Sequence, residues 1–151
     1  MTPQRYNRPE KKFDEKVVEI KRVSKKTKGG NQISFTALVV SGDKKGKVGV
    51  GLGKAKSVAA AIKKAIQKSQ KKMILVPLVD GTIPHQIRTK FKAGLIILRP
   101  GKKGSGVIAG GPVRIVAQAA GIQDIVSKII GSKNKSINVW TALKALSLLK
   151  K

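Results

Sequence analysis

Between residues 46 and 54, glycine falls at alternate positions. Gly49, Gly51 and Gly53 interleave with Val48, Val50 and Leu52. Alternation of this kind is strand periodicity, because successive Cβ atoms point to opposite faces. A strand with glycine along one whole side has no side chains there. It is weak by propensity, and it is expected where a neighbour approaches closely. The stretch does not make a nucleotide loop. A P-loop requires Gly, four residues, then Gly-Lys-Ser/Thr; counting back from Gly53-Lys54 lands on Val48, and Ala55 replaces the hydroxyl. In the dinucleotide pattern Gly-x-Gly-x-x-Gly, Lys54 would take the third glycine's place. Lys47 and its neighbouring glycines also lack the aromatics of a single-strand-binding sheet motif.

Around this strand the pattern reads strand, strand, strand, helix. Residues 17–23 and 33–40 alternate or are rich in β-branched types. Between them runs a basic loop, Ser24-Lys25-Lys26-Thr27-Lys28-Gly29-Gly30, and 41–46 is a turn by composition. Ser57 suits an N-cap. Val58, Ala61, Ile62, Ala65, Ile66, Ser69 and Met73 follow it at helical spacing, with Lys63, Lys64, Lys68, Lys71 and Lys72 on the remaining surface.

Residues 77–82 read as a linker. Beyond it, 83–87 and 95–98 are expected as strands joined by a basic segment, 88–92. The glycine-rich basic loop Arg99-Pro100-Gly101-Lys102-Lys103-Gly104-Ser105-Gly106 follows. Gly110-Gly111-Pro112 opens a helix with Pro in its first turn and Gly121 ends it. Residues 122–130 are a strand or short helix, and 137–149 a closing amphipathic helix. The expected organisation is therefore a flexible basic tail over 1–13, one α+β unit over 14–76, and a second α+β unit over 83–151.

Charge narrows the function. Thirty-three Lys and Arg oppose seven Asp and Glu, for a net +26 and a pI near 10.9. A solvated surface mixes signs, whereas a field of one sign calls for a polyanionic partner. Only 3% of residues are aromatic, too few to stack the bases of a single strand. Backbone and shape recognition of folded nucleic acid is favoured instead. With no Cys and one His, no thiolate or His-rich metal site can be built, and a catalytic triad has only one candidate base, His85. No cofactor, metal, small-molecule substrate, membrane contact or enzymatic activity is expected. His85, after Pro84, reads as a surface or loop histidine.

Individual motifs fit backbone binding. Gly29 and Gly30 allow a loop to take positive φ and approach RNA, while Lys25, Lys26 and Lys28 neutralise phosphates. Lys54 and Lys56 flank a helix N-terminus, where free N–H groups favour anions. Gly101-Lys102-Lys103-Gly104 resembles the Gly-x-x-Gly clamp of KH domains, but that clamp joins two helices and a strand precedes it here. As a loop with two lysines it still suits a nucleic-acid backbone. From composition alone, a free-standing duplex-RNA-binding or chaperone-like protein is the alternative.

Four collinear blocks resemble one family. They are 22–30; Phe35-Thr36-Ala37 with Gly42-Asp43, Gly46-Lys47-Val48-Gly49, Gly51 and Gly53-Lys54-Ala55; 104–114; and Gly131-Ser132-Lys133-Asn134 with Ile137-Asn138-Val139. Together they resemble the bacterial-type small-subunit ribosomal protein five family from about residue 17 to 149. Asn31, Ser41 and Lys135-Ser136 depart from the family pattern. The resemblance implies an N-terminal domain similar to the double-stranded-RNA-binding fold, then a second small α+β domain. It implies a structural constituent of the small ribosomal subunit, in the cytoplasm or an organelle ribosome. This would bind 16S-type rRNA near the decoding region and the path by which messenger RNA enters, beside ribosomal proteins four and eight. Carried over by motif, Ser24, Lys25, Lys26, Thr27, Lys28, Gly29 and Gly30 would meet rRNA near the spectinomycin site, with Arg22 a further rRNA contact. Gly104, Gly106 and Arg114 would face protein four. Lys54, Lys56, Arg88, Lys102 and Lys103 complete the expected rRNA contacts on charge and position.

Overall fold

The computed structural model describes residues 12–150. The tail expected over 1–13 lies outside these except for Lys12 and Phe13. The first unit contains β1 (Asp14–Thr27), β2 (Gly30–Gly42), β3 (Lys47–Ala55), α1 (Val58–Lys71) and the short β4 (Ile74–Leu75), with its strands antiparallel in the order β1-β2-β3-β4. The second contains β5 (Ile87–Phe91), β6 (Gly94–Pro100), β7 (Val107–Ile108), α2 (Gly111–Ala120), β8 (Ile125–Gly131) and α3 (Lys135–Ser147). Its sheet order is β5-β6-β8-β7, with β7 parallel to β8. This is the two-domain α+β architecture anticipated above.

The bare face of β3 receives α1. A Cβ on Gly49, Gly51 or Gly53 would overlap main-chain atoms of Ser69, Ala65 or Ala61, respectively. Glycines recur every two residues on the strand, and their partners every four on the helix. Two strand residues advance about 6.7 Å and four helical residues about 6 Å, so the two small-residue stripes stay in step. Ala61, Ala65 and Ser69 are fully buried there. Ser57 caps the helix, its Oγ accepting from the Ala60 amide at 3.3 Å, a bond of a kind that contributes about 1 kcal/mol. Ser41 explains itself in this layer: its hydroxyl lies 2.6 Å from that of Ser69. Ser69 already donates to the Ile66 carbonyl at 2.7 Å, so Ser41 supplies the proton between them.

The opposite face of the first sheet is also covered. Leu38, Val40, Val48 and Val50 join one continuous core with Val76, Ile83, Ile96, Leu98, Val113, Val116, Ile125, Val139 and Leu146. Residues 77–82 are a docked turn within this arrangement. Val79 and Thr82 bridge across it, Asp80 and Gly81 take φ of 50° and 77°, and the Gly81 carbonyl accepts from Gln123 and Asp124. A second joint lies at the end of α2. The amides of Lys44 and Gly46, in the β2–β3 turn, donate to Ala119 and Ala120 carbonyls at 3.1 and 2.9 Å. They satisfy acceptors that a helix C-terminus otherwise leaves open. Gly121 closes α2 at φ 85°, against the Lys44 main chain.

Several expected elements are corrected. The basic loop over 24–30 is mostly strand: β1 runs to Thr27 and β2 begins at Gly30, leaving only Lys28 and Gly29 as the tip. The strand expected over 83–87 lies instead at Ile87–Phe91, so the basic segment 88–92 is largely strand. Its polar outward residues hide the period that marks a half-buried strand. Within the stretch expected over 122–130, the strand β8 begins only at Ile125, and β7 was not anticipated. The closing helix starts earlier than expected, at Lys135, with Asn134 Oδ1 accepting from the Ser136 amide. No helix among the described residues is long and apolar enough to cross a membrane.

Candidate nucleic-acid interface

β1 and β2 continue past the rest of their sheet. β3 pairs with β2 only as far as Phe35, whereas β1 pairs with β2 out to Thr27 and Gly30. The last pairs form a two-stranded arm with no third strand, roughly 20 Å long at strand rise. Residues 24–33 are all exposed. One side of the arm carries Ser24 and Lys26, with Arg22 in line at its base, and the other Lys25 and Thr27, by strand alternation. Arg22, Ser24, Asn31 and Ile33 border a shallow hollow of about 260 Å³. At the tip, Thr27 Oγ1 donates to the Gly30 carbonyl at 2.8 Å, and Gly30 takes φ 123°. Gly29 keeps an ordinary φ, so positive φ is needed at one glycine of the pair. Neither has a neighbour within 4 Å of where a Cβ would stand.

The second cluster is the loop after β6. The Ser105 amide donates to the Lys102 carbonyl at 2.9 Å, and Gly104 takes φ 85°. Positive φ at the third residue is what a type II turn demands. Lys102 and Lys103 are thereby left exposed. Gly106, at φ 73°, donates to Asp124 Oδ1 at 2.9 Å, and Ile125 returns a bond to the Gly106 carbonyl at 3.2 Å. Asp124, 6% exposed, is thus the anchor of this loop. Sequence reasoning missed it because a lone acid in a basic chain carries no pattern. Arg114, on the exposed side of α2, donates to the Val107 carbonyl at 3.4 Å. Gly104, Gly106 and Arg114 therefore gather at one corner of the second unit.

Arg88 falls elsewhere, on the open face of the second sheet. Register sets it beside Ile97 and Lys128, and Lys90 beside Leu95 and Ile130. Lys90 and Lys128 were not anticipated; reading the strand at 87–91 would have put Arg88 and Lys90 on one side. Lys54 and Lys56 stand at the end of β3 and before α1. Lys64 Nζ donates to the Lys54 carbonyl at 3.4 Å. The expected residues thus form three groups, not one patch: the arm with the α1 entrance, the 101–106 loop with Arg114, and the open sheet face.

Phe91 offers no base platform. Lys92 and Lys144 Nζ lie 5.5 and 5.9 Å from its ring centre, within cation–π range. His85 is exposed; its Nε2 accepts from the Lys150 amide at 3.1 Å, which leaves the proton on Nδ1 for the Gln86 carbonyl at 2.9 Å. Asp43 organises the β2–β3 turn. Desolvation raises its carboxyl pKa, but amide donors at Lys45, Lys47 and Asp43 itself, with the Lys47 charge, outweigh that and hold it below the ordinary value.

By fold, then, this is a strongly basic two-domain α+β protein with a projecting hairpin arm. Residues 13–77 match the family described as ribosomal protein S5, N-terminal domain, and residues 89–151 match ribosomal protein S5, C-terminal domain. The small ribosomal subunit protein uS5 of Treponema pallidum (strain Nichols) is 49% identical over 133 residues, 88% of this chain and 77% of that relative. That of Lawsonia intracellularis is 46% identical over 138 residues, 91% of this chain and 85% of the relative. The chain belongs to the ribosomal protein S5 family.

Proposed function

We propose that the chain is a structural constituent of the small ribosomal subunit that binds folded 16S-type rRNA through its arm. The observation that carries this is the unsupported β1–β2 extension, which places Lys25, Lys26 and Lys28 around an open glycine tip, with Arg22 at its base. A solvated hairpin gains little from packing, so its cations are best explained by contact with another molecule. Phosphates are the chemistry they suit.

The remaining roles follow in the same reading. The loop with Lys102 and Lys103 and the face with Arg88 meet further rRNA. The corner of Gly104, Gly106 and Arg114 faces ribosomal protein four, with protein eight also a neighbour. In that position the chain supports subunit assembly and decoding accuracy near the messenger path and the spectinomycin site.

The test is sedimentation of a lysate through stepped salt, tracking this chain and its Lys25→Gln/Lys26→Gln/Lys28→Gln form. Retention of the parent on the small subunit at high salt, with earlier release of the variant, is expected. Parent release into free fractions at modest salt would instead favour a free-standing duplex-RNA binder.

A further inference from the structure

The outer surface of α1 is a further cationic feature that the arm, the 101–106 loop and the open sheet face do not account for. Lys63, Lys64, Lys68, Lys71 and Lys72 are all exposed, and the helix contains no acid. Lys64, Lys68 and Lys71 follow i, i+4, i+7 spacing and share one stripe, rising about 10 Å along the axis. Among the described residues, carboxylates pair with Lys21 and Lys44, and with no lysine of α1. Glu15 meets α1 at Gln70, whose Nε2 donates to it at 3.1 Å. Like charges at i, i+4 weaken a helix. Lys68 and Lys71 lie in the last turn, where the dipole favours cations, and Lys64 Nζ reaches the Lys54 carbonyl at 3.4 Å. The buried Gly49-Gly51-Gly53 contact holds the helix in place despite this repulsion and presents the stripe outward.

We propose that Lys64, Lys68 and Lys71 form a further phosphate-binding ridge, which grips an RNA duplex backbone separately from the arm. The packed helix fixes the spacing of the three points from which the lysine stems extend, whereas the arm is a hairpin with no third strand. The inference rests on the RNA-binding reading above and extends it to a face with no expected contact.

The test measures affinity of the full chain for a mixed-sequence RNA duplex of about 16 base pairs across a salt series. The parent is compared with Lys64→Gln/Lys68→Gln/Lys71→Gln and with the arm triple variant. The ridge variant should flatten the plot of log K against log salt by about one unit per lost contact. If the ridge triple variant fails to fold, Lys68→Gln alone must flatten the slope by about one unit. An unchanged slope in the ridge variant, with a flattened one in the arm variant, would overturn the ridge and leave the arm reading standing. Unchanged slopes in both would overturn both.

Discussion

The amide of Gly106 donates to Oδ1 of Asp124 at 2.9 Å, and the accepting residue is 6% exposed. A buried acid from the segment before β8 thereby fixes the far end of the basic loop. Asp124→Ala should leave the Gly106 N–H without its partner and reduce stability by about 1–3 kcal/mol. Asp124→Asn keeps an oxygen acceptor and should lose less. Urea unfolding measures both, and exchange of the Gly106 amide should accelerate in the alanine form.

The glycines divide into two kinds. Gly51→Val puts a side chain into the main chain of α1, and overpacking of this sort costs about 1–3 kcal/mol or more. Gly29→Ala points into open space at an ordinary φ and should shift stability by less than about 0.5 kcal/mol. Thermal melts of the two variants, run side by side, should separate clearly.

Asp43 makes stability depend on pH in a definite direction. Its folded pKa lies below the ordinary 3.8. Its contribution is therefore complete above that unfolded value and is lost as pH falls through the folded one. Asp43→Asn keeps the oxygen that Lys45 and Lys47 donate to, but cannot titrate. Acid titration of unfolding free energy should show a steeper fall below about pH 4 for the parent than for the variant.

Ser41 and Ser69 should behave as a coupled pair. Ser41→Ala removes one buried hydrogen bond, a loss of about 1 kcal/mol. With Ser69→Ala already present, the same change should cost much less, since the partner has gone. Denaturation of the four forms in a double-mutant cycle gives the coupling. Strict additivity would contradict the shared hydrogen bond.

What could be read beforehand followed from local rules. α1 was legible because Ser57 precedes a clean helical period, and α2 because Pro112 and Gly121 mark its two ends. The bare side of β3 announced a close neighbour, though not which one. The arm's length was not legible, since a strand exposed on both faces needs no alternation. β5 was displaced for a related reason: Arg88 and Lys90 face outward and its buried residue is the polar Thr89. β7 exists only through pairing with β8, which no local signal records. At the candidate site, the arm and loop lysines were legible from charge and glycine spacing, whereas Ser24, Thr27, Gly104, Gly106 and Arg114 came only through the family resemblance. Asp124, Lys90 and Lys128 depend on register and burial and stayed hidden.

The joint at the end of α2 bears on how the molecule is made. The Lys44 and Gly46 amides that complete α2 belong to the first half of the chain. During vectorial synthesis they emerge well before the helix they serve. The face of Leu38, Val40, Val48 and Val50 waits equally for its cover. Ala120 follows Val50 by roughly 70 residues, a delay of several seconds at about 5–20 residues per second. The nascent first half thus leaves the exit tunnel with an uncovered apolar sheet, in an interval when a chaperone is its natural shield.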